Sequence, residues 1–342
     1  MINKLTVIIP CRNEVKFITE CIEAIYACQL PESIQMKVFV IDGMSDDGTR
    51  ELVLKLTEIY PNLFLVNNPN RMTPFAFNIG IHEGGKVDFV QIVGARHILS
   101  KNYLFKSLNK LKTDESIWCV GGKIINEFIN ENGLIISKVM STTLGMGIGN
   151  FRTLNKSGFT DTVTSPMYPF WVFEKIGYFD ENLVRNQDDD FNFRITNAGG
   201  KIYYENGISL KYYVRGDYKN LWRQFYQYGY WKVFVNRKHK TITTLRQLAP
   251  ISFVMYLLIL PIALVASTEL FAFLSSFLII YLILVSWFSI RINNCTSKKS
   301  LIKTWITFPT LHISYGLGFI KGIIQFIILN QNPSENQKRL SR

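Results

Sequence analysis

The sequence has no Cys-x-x-Cys pair, no Gly-x-Gly-x-x-Gly turn and only four histidines. Each absence excludes a chemistry. The five cysteines, Cys11, Cys21, Cys28, Cys119 and Cys295, are odd in number, and no Cys/His spacing suggests a zinc site or a disulfide framework. A reducing, cytosolic setting is expected for the part of the chain that carries them. Without the glycine turn NAD is excluded, and neither zinc nor haem is expected. Acid is also scarce: 26 Asp and Glu stand against 38 Lys and Arg, a formal charge of +12. No DNA- or RNA-reading module accompanies that excess. It therefore points to anionic lipid or a phosphate-bearing substrate, and not to nucleic acid. The start is no signal peptide, because Met1–Pro10 reads as a short strand and Arg12 and Glu14 follow directly.

Apolar residues are abundant, at 48% of the chain, and unevenly placed. Up to about Lys240 they mix with polar ones as in a globular domain, whereas long apolar runs dominate beyond Pro250. Ile251–Ala266 and Leu270–Ile290 are separated only by Ser267, Thr268 and Glu269. The second would span about 31 Å as a helix, matching a hydrocarbon core of roughly 30 Å. Arg291, Lys298, Lys299 and Lys303 then form a basic loop that the positive-inside rule places in the cytosol. Trp305–Leu329 is a third apolar stretch interrupted by Pro309, His312 and Lys321, and spanning, re-entrant and surface-lying forms all remain open for it. Between Arg215 and Arg246, eight basic residues face one acid, Asp217, and are interleaved with Trp222, Phe225, Tyr226, Tyr228, Tyr230, Trp231 and Phe234. That pattern predicts an interfacial helix, basic for headgroups and aromatic for their boundary. The expected organisation is a cytosolic catalytic domain over 1–214 and interfacial helices over 215–249. Membrane segments over 250–330 follow (about 250–267, 270–290 and 305–329), and a polar tail fills 331–342.

Leu5–Ile9 is a short β-branched run, and Val38–Ile41, Leu63–Val66 and Phe89–Val93 are short apolar runs, each a candidate strand. Val15–Cys28, Thr49–Tyr60 and the stretch from Pro74 carry helical apolar spacing between them. This alternation predicts an α/β fold with a mostly parallel sheet, which binds ligands at the carboxyl ends of its strands. Pro10, Asp42 and Gly94 fall at three such ends. Residues 120–165, rich in glycine including Gly145, Gly147 and Gly149, are expected as a strand pair and a mobile loop. Phe170–Gly177 and Asp189–Ala198 are expected as helices, the second stopped by Gly199-Gly200.

The segment TVIIPCRNE (6–14) is a strand opening into a polar turn, and VFVIDGMSDDGT (38–49) is another. An Asp at such a strand end can accept from a ribose hydroxyl or a base N–H, and Arg12 can face phosphate. In order and spacing the pair resembles the opening of the family-2 glycosyltransferases of the GT-A fold. NNPNRMTPFAFNIG (67–80) is similar to that family's basic residue ahead of Ala-x-Asn-x-Gly. YPFWVFEKIGYFDENLVRNQDDDFNFRI (168–195) resembles its acceptor-side helix, its Gly-x-Phe-Asp turn and its Glu-Asp block. Asp161-Thr162-Val163 and the aromatic-basic stretch are similar to the membrane-bound exopolysaccharide branch, the succinoglycan-biosynthesis-like enzymes.

The resemblance covers roughly residues 5–330 and implies an inverting transferase. Its donor would be a nucleotide-sugar, with a UDP-sugar expected, and its acceptor a lipid-linked saccharide in surface-polysaccharide assembly at the inner, cytoplasmic membrane. It places Pro10, Arg12, Glu14, Asp42, Asp46, Arg71 and Asn78 on the donor nucleotide. It places Asp161, Trp171, Asp189, Asp190 and Arg194 on the acceptor side, and Asp188 as the base, although Gln187 stands where the family has Glu. Homo-oligomers or polysaccharide-assembly partners are left open. Two departures matter. The family's Asp-x-Asp, which holds a divalent cation on the diphosphate, falls on Gly94, Ala95 and Arg96. Either Arg96 supplies charge in place of Mg or Mn, or His97 ligates a metal with Asp188 or other help, or the enzyme is impaired. Gln227–Trp231 has Tyr where processive synthases have Arg, which implies non-processive transfer. Rival readings are transfer to polyprenyl phosphate itself, and a non-catalytic membrane partner that binds glycan or a synthase.

Overall fold

A computed structural model describes residues 3–147, 152–214, 216–293, 297–334 and 337; Gly149, Arg215 and Cys295 lie outside the described residues. The chain forms two compact units. Of the described residues, the first takes in 3–126 and 152–213, the second 127–147 and those from 214 to 337.

The first unit opens with β1 (Asn3–Cys11), α1 (Ile18–Tyr26), β2 (Ile34–Asp42), α2 (Thr49–Ile59), β3 (Leu63–Asn67), α3 (Thr73–Gly84) and β4 (Phe89–Ile92). Short β5 (His97–Leu99), α4 (Tyr103–Thr113) and β6 (Ile117–Phe128) follow. With β8 (Thr164–Pro169) and β9 (Lys201–Val214) from later in the chain, the sheet order is β3-β2-β1-β4-β8-β6-β9-β5. Strands β1 to β4 are parallel, with Cys11 opposite Asp42 and Ile8 opposite Ile92. Leu5 to Ile9 are buried throughout, as a central parallel strand covered on both faces requires. On one face Cys21, Ile22 and Ile25 of α1 and Val53 of α2 pack against Val7, Ile9, Val38 and Val40. On the other, Ile8 and Ile41 meet Phe77 and Ile81 of α3. The four buried cysteines, Cys11, Cys21, Cys28 and Cys119, are free thiols, and burial pushes Cys28 up to about 11.

Residues 120–165 depart from expectation. They hold the end of β6, two helices, α5 (Glu131–Met140) and α6 (Thr143–Met146), then β7 (Gly158–Thr160) and the start of β8 (Thr164–Pro169). Asn130 caps α5 by accepting from Gly133 N, and Ile135, Ile136 and Val139 give the helix a buried face. The glycines that suggest a loop act in caps and close contacts instead. The unit is completed by α7 (Trp171–Ile176), α8 (Gln187–Asn197) and the fourteen-residue β9 (Lys201–Val214).

The second unit contains α5, α6 and the helices α9 (Tyr218–His239), α10 (Leu248–Ala266), α11 (Thr268–Asn293) and α12 (Lys298–Gly322). The third apolar stretch is one helix, α12, which contains Pro309 and runs into a π-helical turn at Ile323–Ile328. Three segments are long and apolar enough to cross a membrane, Leu245–Ala266, Thr268–Ile292 and Lys298–Ile328, and the chain is membrane-associated. Most of the first two faces outward, with Leu258, Ile262, Val265, Phe273 and Ile283 exposed. The aromatic residues expected at a headgroup boundary divide. Trp222 is exposed, whereas Tyr230 and Trp231 are buried, with Tyr230 against Phe326.

Candidate active site

Because β1 to β4 run parallel, their carboxyl ends form one edge. It carries Pro10–Glu14 after β1, Asp42–Asp47 after β2, Asn68–Arg71 after β3 and Val93–His97 after β4. Strand β8 is antiparallel to β4, pairing Gln91 with Met167 and Phe89 with Pro169, so Asp161 to Ser165 reach the same edge. Helix α8 joins it from its own amino end. Its last turn lies at the opposite side of the sheet, where Gly200 N donates to Ile195 O and Lys201 N donates to Ser116 O just ahead of β6. Asn192 Nδ2 donates to Thr162 Oγ1 at 3.0 Å. About one turn earlier, the first turn of α8 brings an exposed Asp188 and a half-buried Asp189 to the edge.

Backbone strain concentrates there. Seven described non-glycine residues have left-handed φ, and five of them, Asn13, Met44, Arg71, Ser165 and Asn186, stand on this edge. Strain of that kind, up to about 1–3 kcal/mol per residue, gathers where side chains must be aimed at a ligand. Ser165 shows the cause. Opposite the start of β8, the β6 register shifts between Val120 and Gly122. A Cβ on Gly121 would lie 2.5 Å from Thr164 O, so only glycine admits the approach. The Tyr103 hydroxyl donates to Ser165 O at 3.0 Å and accepts from Gly122 N at 2.9 Å. The bulge turns Ser165 so that its Oγ lies 2.7 Å from His97 Nδ1.

The loops are cross-braced. Asn13 Nδ2 donates to Asp46 Oδ1 at 2.8 Å while Asp46 N donates to Asn13 Oδ1 at 3.0 Å. Asp47 accepts from Val15 N and Thr49 N. These bonds help hold its carboxyl below the usual range. Asp42 is fully buried and accepts from Ser45 N at 3.1 Å and from Arg50 Nη1 at 2.6 Å. Its carboxylate thus organises the turn, and Arg50 is a neighbour that the motif does not flag. Arg12 lies beside Gly43, and Arg71 is exposed on the loop before α3. Glu14 is buried, and its Oε2 accepts from Arg96 Nε at 2.7 Å.

Several expected contacts lie elsewhere. Trp171 was expected on the acceptor side, but it follows the Pro169–Phe89 pairing and so sits at the amino end of β4, edge-on to Trp118 at 5.0 Å. A chain running back along the sheet carries its later residues away from the carboxyl edge. Asp190 and Arg194, also expected at the acceptor, form an internal clamp. Asp190 is fully buried and accepts from Arg194 Nε at 3.0 Å, and Arg194 also donates to Ile176 O and Tyr178 O. Asn78, expected on the nucleotide, exchanges hydrogen bonds with the Phe179 backbone at 2.9 and 3.0 Å and donates to Glu181. It fixes the turn that leads into α8. Gln187 Oε1 is buried with no hydrogen-bond partner among the described residues.

The divalent cation of the resemblance does not fit the donor set. Gly94-Ala95-Arg96 offers no carboxylate, and among the described residues no group of three His, Cys, Asp or Glu could hold a metal. His97 is a poor ligand as placed. Gly94 N donates to its Nδ1 at 3.3 Å, so in the neutral ring the proton sits on Nε2. Burial, and then the Arg152 charge, push the imidazole down to about 4.

The family model described as glycosyl transferase family 2 matches residues 6–177, which contain every strand end of the carboxyl edge. The chain is similar to the dolichyl N-acetyl-alpha-D-glucosaminyl phosphate 3-beta-D-2,3-diacetamido-2,3-dideoxy-beta-D-glucuronosyltransferase of Methanococcus voltae. They are 28% identical over 329 residues, 94% of this chain and 98% of that one. It is 25% identical over 248 residues to the succinoglycan biosynthesis protein ExoA of Rhizobium meliloti, covering 72% and 74% of the two chains. A mannosyltransferase of Pyrobaculum calidifontis, solved with GDP-Man and Mn2+, superposes with a TM-score of 0.65 at 18% identity. That match covers 93% of this chain and 86% of the other, and the likeness is one of fold.

Proposed function

The chain belongs to glycosyl transferase family 2, and from that premise we propose that it moves a sugar from a nucleotide-sugar, first a UDP-sugar, onto a lipid-linked saccharide. The setting is surface-polysaccharide assembly. One observation carries the acceptor assignment: the correspondence with the Methanococcus voltae enzyme runs through both units, apolar helices included. That relative is named for a dolichyl-phosphate-linked acceptor, and the Rhizobium relative for succinoglycan synthesis.

The reaction needs one carboxylate. Asp188, exposed on the first turn of α8, takes the proton of the acceptor hydroxyl as that oxygen attacks the anomeric carbon. The bond to the nucleoside diphosphate breaks on the opposite face, and the configuration inverts. Such a base contributes typically 10²–10⁴-fold. A glycosidase needs a second carboxylate to protonate its leaving group, whereas a nucleoside diphosphate leaves as an anion. Asp161 and Asp189 stand on the acceptor side of the same edge. Pro10, Arg12, Asp46 and Arg71 line the donor side.

The basic residues in the last turn of α11 and the first turns of α12, Arg291, Lys298, Lys299 and Lys303, favour the cytosol. Two spans joined by a tight turn at Ser267 return the chain to its starting side. The catalytic unit accordingly works at the cytosolic face of the inner membrane.

The test uses the purified full chain in detergent, a panel of UDP- and GDP-sugars, and a polyprenyl-diphosphate-linked saccharide. Acceptor-dependent release of nucleoside diphosphate with an inverted anomeric product is expected. A retained anomer, or turnover with polyprenyl phosphate but none with the saccharide, overturns the reading.

A further inference from the structure

Resting on the reading of the carboxyl edge as the donor site, we propose that the donor diphosphate is held by guanidinium groups in place of a divalent cation. Arg96 is the principal ligand. The position after β4 is where a cation would have to sit, and the chain has put a fixed organic cation there.

Arg96 is held on two sides. Its Nε donates to the buried Glu14 carboxylate at 2.7 Å, and its Cζ lies 4.6 Å from the centre of the Phe17 ring. Both contacts use the inner edge and one face of the guanidinium. No hydrogen bond among the described residues uses its Nη1 or Nη2, and the side chain keeps 19% of its surface exposed. Planar paired donors of this kind match two oxygens of a phosphate. Glu14 is itself fixed, since its backbone N donates to Thr49 Oγ1 at the start of α2. The fork therefore needs no reorganisation when the leaving group gains charge, the condition under which electrostatic stabilisation is strongest.

Glu14 cancels part of the Arg96 charge, so one guanidinium alone is a weak substitute for a dication. His97 serves as a wall. With Nδ1 accepting from Gly94 N and facing Ser165 Oγ, its Nε2 carries a proton and adds a neutral donor without adding a metal ligand. Arg12, at the end of the neighbouring strand β1, brings a second guanidinium to the same edge.

The experiment measures binding of UDP and GDP, and of UMP and GMP, to the full detergent-solubilised chain by calorimetry, in EDTA and in Mn²⁺. One diphosphate is expected to bind equally in both, within about twofold. Arg96→Ala should weaken it about 10–100-fold, the scale of a charge-assisted pair, while the monophosphate changes little. Because Arg96→Ala leaves Glu14 buried without its cation, Arg96→Lys is measured beside it. Lysine keeps a charge on Glu14 but lacks the fork, and should still lose about tenfold or more. Diphosphate binding that appears only with Mn²⁺, or an Arg96→Lys protein that binds normally, overturns the proposal. If neither diphosphate binds under any condition, the donor-site reading fails with it, and the two failures are distinct.

Discussion

The Nδ1 of His97 and the Oγ of Ser165 lie 2.7 Å apart, fastening the turn after β4 to the bulged start of β8. The contact crosses from the parallel half of the sheet to the antiparallel half. Ser165 reaches it only through a left-handed backbone, with φ of 42°. A serine adopts that conformation when surrounding contacts over-determine it, here the Tyr103 hydroxyl and the close approach of Gly121.

This contact carries a pH dependence. In the unfolded chain the imidazole titrates near 6.5. In the fold, burial and then Arg152 hold it down to about 4. Between those values the unfolded chain binds the proton and the native one does not, so stability is full above about pH 6.5 and falls as pH drops towards 4. His97→Asn, which keeps an acceptor for Gly94 N, should flatten that part of the profile. Thermal melts of both proteins from about pH 7 to pH 5 check it, and the expected result is that the wild type loses more of its Tm than the variant. Parallel curves would show that His97 contributes no linkage.

Much of this edge is legible in the sequence, and the misses have physical causes. Strands β1 to β4 have short apolar runs followed by polar turns, so each motif at a strand end lands on the carboxyl edge. Trp171 is misplaced because its position depends on β8 running antiparallel to β4, a pairing fixed by distant residues. Asp190 and Arg194 look like ligand contacts in the sequence, but at i, i+4 on one helix they find each other, with the carbonyls of Ile176 and Tyr178 beside them. The β9 strand escapes notice because Lys201, Glu205 and Lys211 break its apolar run. Glycine content makes 127–147 look like loop, although Gly133 and Gly145 each donate to a capping side chain.

Asp188→Asn is expected to lower turnover about 10²–10⁴-fold while donor binding stays within about threefold, because the amide keeps shape and loses the base. Steady-state kinetics with calorimetric donor binding separates the two effects. Near-normal turnover would remove Asp188 from the base role. It would favour polyprenyl phosphate as acceptor, since an anionic nucleophile needs no deprotonation.

Arg194→Met tests the clamp against the acceptor role that the motif suggests. The change leaves Asp190, fully buried, without its guanidinium and strips donors from the Ile176 and Tyr178 carbonyls. Removing one partner of a buried pair costs on the order of 3 kcal/mol. The expected result is a clear loss of thermal stability with kcat per folded molecule preserved. A selective fall in kcat at unchanged stability would return Arg194 to the acceptor.

The last expectation concerns α9 and α12, whose backbones meet through glycine. A Cβ on Gly229 would stand 2.0 Å from Tyr315 O, one on Gly318 would stand 2.0 Å from Tyr226 O, and one on Gly322 would stand 2.8 Å from Tyr230 O. The obstacles are carbonyl oxygens on the facing helix, which cannot rotate aside as a side chain could. Small residues at such crossings let helices approach closely enough for packing alone to hold them. Gly229→Ala should therefore push α12 away along the crossing and loosen the Tyr230–Phe326 contact and the Tyr230 hydroxyl bond to Gln325 Oε1 at 2.8 Å. Overpacking of this sort costs about 1–3 kcal/mol. The check is the Tm of the detergent-solubilised chain, with Gly158→Ala as control, since nothing lies within 4 Å of a Cβ built there. Gly229→Ala should melt several degrees lower and the control should not. Truncation after Arg246 should be worse still, because it removes all of α12 and leaves α9 without the helix it packs against. A stable truncated protein, or a silent Gly229→Ala, would mean that α9 holds its place without that crossing.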